Sequence, residues 1–152
     1  MKFRCEIVGD LHIVLRDLSG IIKRNFHTHN LIVNEGLTYI ADKMIPTPSL
    51  PVMAYMAIST GSGAAVGGDT GLTLPEVDRV GLTSTTASTF STIYAATFPT
   101  GTSGSVTESG IFSHATPGHG DEYMLSRSIF AAVNKLTTDT LDILWTITFA
   151  SA

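Results

Sequence analysis

The sequence predicts a mainly β domain: an antiparallel β-sandwich or barrel-like fold with one short α-helix. Three observations predict it. Apolar and polar residues alternate with period two at both ends of the chain, most regularly in LDILWTITFA, where Leu141, Ile143, Trp145, Ile147 and Phe149 share one face. Clusters of Gly, Ser, Asp and Pro punctuate the chain between such runs. A single segment, NLIVNEGLTYIADKMIPTP, changes to a helical period.

Taken in order, KFRCEIV sets Phe3, Cys5 and Ile7 against Lys2, Arg4 and Glu6, and Gly9-Asp10 offers a turn. LHIVLRD then places Leu11, Ile13 and Leu15 on one face, Ser19-Gly20 offers a second turn, and IIKRNFHTH reads as a third extended segment. Residues 1 to 29 are therefore expected to form an N-terminal β-meander or arm, with Cys5 a small core residue. In the helix, Leu37, Ile40, Ala41 and Met44 make the apolar stripe, Asn34 is the expected N-cap and Pro46 the stop. MAYMAIST reads as a buried strand. DRVGLTSTTASTFSTIYAATF reads as one or two long strands with a hydroxyl-rich face, and GTSGSVTESGIF as a turn followed by another strand. LDILWTITFA is expected to lie centrally in a sheet, with EYMLSRSIFAAV as its antiparallel hairpin partner across the polar Thr137, Thr138 and Asp139.

The glycine-rich stretch STGSGAAVGGDTGL, Ser59 to Leu72, invites comparison with a phosphate-binding loop. It lacks what such a loop needs. No Gly-Lys-Ser/Thr follows, Val66 stands where GxGxxG would place its third glycine, and the next segment is extended and threonine-rich. The stretch reads as a permissive surface loop.

Length and composition bound the function. The chain of 152 residues is long enough for one domain, 1–152, with a real core. Only 14% of residues are charged and the mean hydropathy is +0.26, so the chain is less ionic than the ~25% typical of soluble domains. Such a chain hides apolar and hydroxyl-rich surface against other subunits, which predicts an oligomer or an assembly component. Apolar runs break well short of the ~18 residues that would span a bilayer, so no membrane partner is expected. A net charge of −4 argues against nucleic acid, whose phosphates call for a basic surface. The start, MKFRCEIVGDL, interleaves charge where a secretory signal needs a continuous apolar stretch. Cys5, the one cysteine, excludes an intramolecular disulfide and cysteine-rich zinc sites.

No motif calls for catalysis. The nucleophile-elbow pattern GxSxG is missing, and Glu76, Asp78 and Arg79 read as a solvated turn or an inter-subunit ion pair. His27 and His29 share a strand face, and His114 and His119 sit in a Gly/Pro loop where side chains converge freely; neither pair comes with metal-ligand spacing, so no metal and no cofactor are expected. Arg127, a lone cation in the apolar run MLSRSIF, needs a carboxylate, with Glu108 or Asp142 as its expected partner. Tyr39, Tyr55, Tyr94 and Tyr123 are spread over separate elements as core or interface residues. The interface candidates are Phe3, Arg4, Tyr94 and Arg127.

The order and spacing of NLIVNEGLTYIADKM, MAYMAISTGSGAAVGGDTGL, EVDRV, YAATF, VTESGIF, MLSRSIF and DTLDILWTITF resemble a family of small tailed-bacteriophage virion proteins, from about Asn30 to Phe149. Proteins that look like this are capsid decoration (cement) proteins or tail, collar and neck fibre components. The resemblance implies a non-catalytic virion protein assembled in the host cytoplasm, a homo-oligomer with a trimer favoured, and the major capsid protein or other virion proteins as partners. A compact N-terminal segment and no fibrous repeat favour the decoration protein over a fibre used in host attachment. Residues 1 to 29 are the expected contact with the shell or an adjacent subunit, by strand addition.

Overall fold

Alternation gives each strand one face to bury, and the strands bury those faces against one another in two antiparallel sheets of five. The computed structural model describes residues 4–151. Along the chain run β1 (Cys5–Arg16), β2 (Ile22–His29), β3 (Leu31–Ile32), α1 (Asn34–Lys43), β4 (Tyr55–Ser59) and β5 (Asp78–Gly81). β6 (Ser84–Ser88), β7 (Ser91–Phe98), β8 (Gly104–Phe112), β9 (Met124–Lys135) and β10 (Thr140–Ser151) follow. One sheet has the order β2-β1-β10-β7-β6 and the other β3-β9-β8-β4-β5. The fold is mainly β, with a single short helix, as the sequence predicts.

β10 occupies the middle of the first sheet, paired to β1 along its whole length and to β7 on the other side. Its inward row, Leu141, Ile143, Trp145 and Ile147, is no more than 2% exposed and meets Leu11, Ile13, Met56, Phe98, Ile111, Leu125 and Val133 in one core. The odd residue of the pattern, Leu144, faces out at 42% exposure.

Three local expectations change. Gly9 and Asp10 do not turn the chain; they pair in register with Ile147 and Thr146, so two expected strands are one continuous β1. The Asn30 side chain fills the space a Cβ at Gly9 would need, and close approach explains this glycine better than a bend. The meander is thereby reduced to the hairpin β1–β2, closed where the Asp17 carboxylate accepts from the Ser19 and Ile21 N–H groups and Gly20 takes a φ of 82°. β1 is paired on both sides, so it is a core strand of its sheet and no free arm. Cys5, opposite Ser151 where the sheet ends, is exposed and not in the core.

β9 and β10 are not a hairpin. β9 pairs with β8 and β3, β10 with β1 and β7, and the turn after Lys135 carries the chain from one sheet to the other. Period two fixes which face of a strand is buried, whereas the neighbour is chosen by the whole sheet. The threonine-rich run from Asp78 to Phe98 makes three strands, β5 in one sheet and the β6–β7 hairpin in the other.

The helix is where predicted, but rotated. Val33 and not Asn34 is the N-cap, without a side-chain cap, and the helix ends at Lys43, ahead of Pro46. Leu37 and Met44 are 48% and 81% exposed, while Gly36 is buried against the Leu125 carbonyl and Tyr39 and Ile40 pack on the core. The stripe that docks is therefore Gly36, Tyr39, Ile40 and Lys43, shifted by one residue from the apolar stripe, because backbone contact at a glycine brings the helix closest to β9.

Candidate functional site

Two buried guanidinium centres lie on one face of the second sheet, in register across it through Gly110 and Ala57, and the glycine-rich loop is folded over the first of them. Arg127, on β9, faces the sandwich side of the loop and is 6% exposed. Its Nε and Nη2 donate to Glu108 Oε2 at 2.9 and 2.6 Å, and its Nη1 to Asp69 Oδ2 at 2.7 Å. Glu108, wholly buried on β8, uses its other oxygen to accept from the Gly61 and Thr73 N–H groups at 3.2 and 2.7 Å. Arg127 also donates to the Gly63 carbonyl, and Asp69 accepts from the Val66 N–H. A Cβ at Gly61 would collide with the Glu108 carboxylate and Thr73, so only glycine lets the loop come this close.

The loop thus does cradle an anion, and the anion is a carboxylate of its own chain. The Gly61 N–H of the loop and the Thr73 N–H just beyond it both donate to one Glu108 oxygen. Burial raises the Glu108 and Asp69 carboxyls, but the Arg127 guanidinium and the backbone donors outweigh it and hold both below the ordinary carboxylate range. Of the two expected partners of Arg127, Glu108 is the one used; Asp142 lies on the other sheet, where it accepts from Thr97 and faces Arg16 at 3.5 Å. Asp69 is the partner the sequence reading missed, and its signal was faint: one acid alone in a glycine loop.

The second centre corrects the reading of Glu76 and Arg79 as a solvated turn or inter-subunit pair. Arg79 is 6% exposed and binds Glu76 through two nitrogens, at 2.9 and 2.6 Å, and Glu122 at 2.7 Å. It also donates to the His114 carbonyl and lies 4.0 Å above the Phe112 ring, so the pairing is internal and ties the loop after β8 to the loop before β5. Between the two centres runs a cleft of about 430 Å³, walled by Gly68 to Leu72 on one side and Pro117, Gly118 and Glu122 on the other. The carboxylates of Asp69, Glu76 and Glu122 that border it are each engaged by a guanidinium, so the arrangement locks loops together.

His114 and His119 do converge, with rings stacked at 3.8 Å. Each Nδ1 accepts a backbone N–H, from Thr116 and Asp121 respectively, which places the ring proton on Nε2 and leaves neither nitrogen with a lone pair for a metal in this arrangement. His27 and His29 share the outer face of their sheet as expected; His27 stacks on His12 at 4.4 Å and meets Asp10 at 2.9 Å. Among the described residues no three His, Cys, Asp or Glu side chains are grouped to hold a metal.

Of the interface candidates, Phe3 lies outside the described residues and Arg4 is exposed just ahead of β1. Tyr94 is 7% exposed and belongs to the core, where burial beside Tyr39 pushes its hydroxyl up to about 12; burial removes it as an interface residue. It floors an apolar groove between α1 and the first sheet, with Tyr39, Ile40, Met44 and Phe149. Arg127 is likewise internal. Two further buried ions went unread: Lys135, 1% exposed, whose Nζ donates to the Pro99 and Thr102 carbonyls, and Asp139, 1% exposed, bound by Lys23 at 2.7 Å.

What lies outside is a sheet face with few ions for its area. The outer face of the first sheet presents Val8, Leu144, Ala95, Thr146 and Ile93 across β1, β10 and β7, with its ions at Glu6, Asp10, Arg16 and Asp142 beside the stacked histidines. No helix among the described residues is long and apolar enough to cross a membrane. No family model, no curated protein and no solved structure matches the chain.

Proposed function

We propose that this protein is a structural component of a tailed-bacteriophage virion, a capsid decoration protein that stabilises the assembled head through contacts between subunits. One observation carries the assembly part of this reading: the buried ionic side chains are consumed in internal centres around Arg127, Arg79, Lys135 and Asp139, while the broad outer face of the first sheet is hydroxyl-rich and apolar. A surface of that kind is suited to burial against protein, since little charge has to be desolvated. The order of segments that resembles small phage virion proteins supplies the virion. The mechanism is mass action: a protein that binds the closed shell and not its separated parts shifts the balance toward the shell.

Locking the glycine loop onto Glu108 serves such a role, because a surface that is rigid before contact loses less freedom on docking. The test is to label the protein in intact particles and to challenge particles lacking it with heat or chelator. Label spread over the head, with heads that rupture more readily when the protein is missing, is the expected result. Label confined to the collar or tail, with loss of host adsorption and unchanged head stability, would replace this reading by the fibre component. A protein found only in the soluble fraction of the lysed host overturns both.

A further inference from the structure

We infer that the open edge of β6 is a self-association site at which a second copy of this chain adds its own β6, joining two five-stranded sheets into one continuous antiparallel sheet across a twofold axis. The inference goes beyond the virion reading and does not depend on it. β6 pairs on one side with β7, in the register Ser84↔Ala95 through Ser88↔Ser91, and ends the sheet on the other; all five of its residues are exposed. Alternate N–H and C=O groups of an edge strand point away from its neighbour and form a ready template for another strand.

The four sheet edges are not equivalent. β2 carries Lys23, Arg24, His27 and His29, so two copies of it repel. β3 has two residues, and β5 has four, with its ions Asp78 and Arg79 already engaged. β6 has none of the usual protections: from Val80 to Thr107 the chain contains no Asp, Glu, Lys, Arg or His, and the strand itself, STTAS, holds no Pro and pairs with β7 without a register shift. An uncharged antiparallel strand is complementary to itself, and a twofold contact is the arrangement that uses one patch twice.

Register follows from length. Full overlap of two five-residue strands sets Thr86 opposite Thr86 of the second copy, and Ser84 opposite Ser88. The same alignment brings Phe90, 70% exposed at the β6–β7 turn, beside Leu82 of the second copy, at both ends of the contact. An exposed aromatic residue thus gains an apolar neighbour in the one register that also pairs every β6 residue. Thr86 stands opposite Ile93 on the outer face, while Thr85 lines the inner groove with Tyr94, so a change at Thr86 leaves the core untouched.

The experiment measures the mass of the purified chain by sedimentation across concentration, for wild type, Thr86→Lys, Thr86→Glu and an equimolar mixture of the two variants. The expected result is a dimer for wild type, monomers for each variant with a dissociation constant raised at least tenfold, and heterodimers in the mixture, where the opposed charges now attract. Unchanged circular dichroism, and a melting temperature equal to that of the wild type diluted below its dissociation constant, exclude misfolding as the cause. Hydrogen exchange on the wild type gives a reading that needs no variant: protection of the Ser84 to Ser88 amides rises with concentration. A wild type that stays monomeric, a trimer, a dimer that survives both charged variants, a mixture that stays monomeric, or β6 exchange independent of concentration would each overturn the inference.

Discussion

At the residue scale, Arg127 is the side chain on which the loop region depends. It neutralises Glu108 and Asp69 at once, and its removal leaves the fully buried Glu108 without a counter-charge. Arg127→Ala is expected to cost about 3 to 5 kcal/mol in urea unfolding, as breaking one side of a buried pair does elsewhere. Acid should act on the same centre. Both carboxyls are held below their ordinary values of 4.5 and 3.8, so the folded state binds protons less readily than the unfolded chain. The stability they confer is complete above those values and is lost as pH falls through the lowered folded ones. Unfolding measured between pH 7 and pH 2 should show this loss in the wild type and a flatter profile in Glu108→Gln; equal slopes would mean that the pair contributes nothing to the acid response. That Arg127 needs a carboxylate was legible in MLSRSIF, with Glu108 among the two candidates; that a second comes from Asp69 in a distant loop was not, because that distance is set by the fold.

At the scale of elements, α1 shows what a pattern misses when a glycine makes the contact. Leu37, Ile40, Ala41 and Met44 are the better apolar stripe, yet the helix docks through Gly36, whose Cα lies against the Leu125 carbonyl. Gly36→Ala sets two effects against each other. Alanine favours an isolated helix by up to about 1 kcal/mol. Overpacking against a backbone oxygen costs about 1 to 3 kcal/mol, since the obstacle is not a flexible side chain. The second should win, lowering the melting temperature by several degrees; a rise would mean that α1 moves freely on its sheet. Lys135 makes a parallel case between strands: its ammonium satisfies the Pro99 and Thr102 carbonyls at the β7–β8 connection. Burial presses its pKa down, while Asp78 and Asp139 oppose that. Lys135→Met keeps the volume and removes the donors, with an expected loss of about 1 to 3 kcal/mol from the carbonyls left unpaired.

At the scale of the molecule, one core joins both sheets, and Trp145 lies within it at 0% exposure. As the one tryptophan of the chain, it reports the whole sandwich, so its fluorescence and the far-ultraviolet circular dichroism should change together in urea. Separated transitions would show that the two sheets unfold independently. The class of fold, the central place of β10, the buried strand β4 and the need of Arg127 for a carboxylate can be read from the residues, because side-chain period and polarity are local quantities that a strand carries wherever it lies. That β9 and β10 part into different sheets, that Gly9 lies inside a strand, that Tyr94 faces the core while Arg79 is covered by loops, and that the glycine loop closes on Glu108 emerge only from the folded molecule. Those outcomes rest on which elements meet across long stretches of chain, and the energy of such a meeting belongs to the pair and is written in neither partner alone.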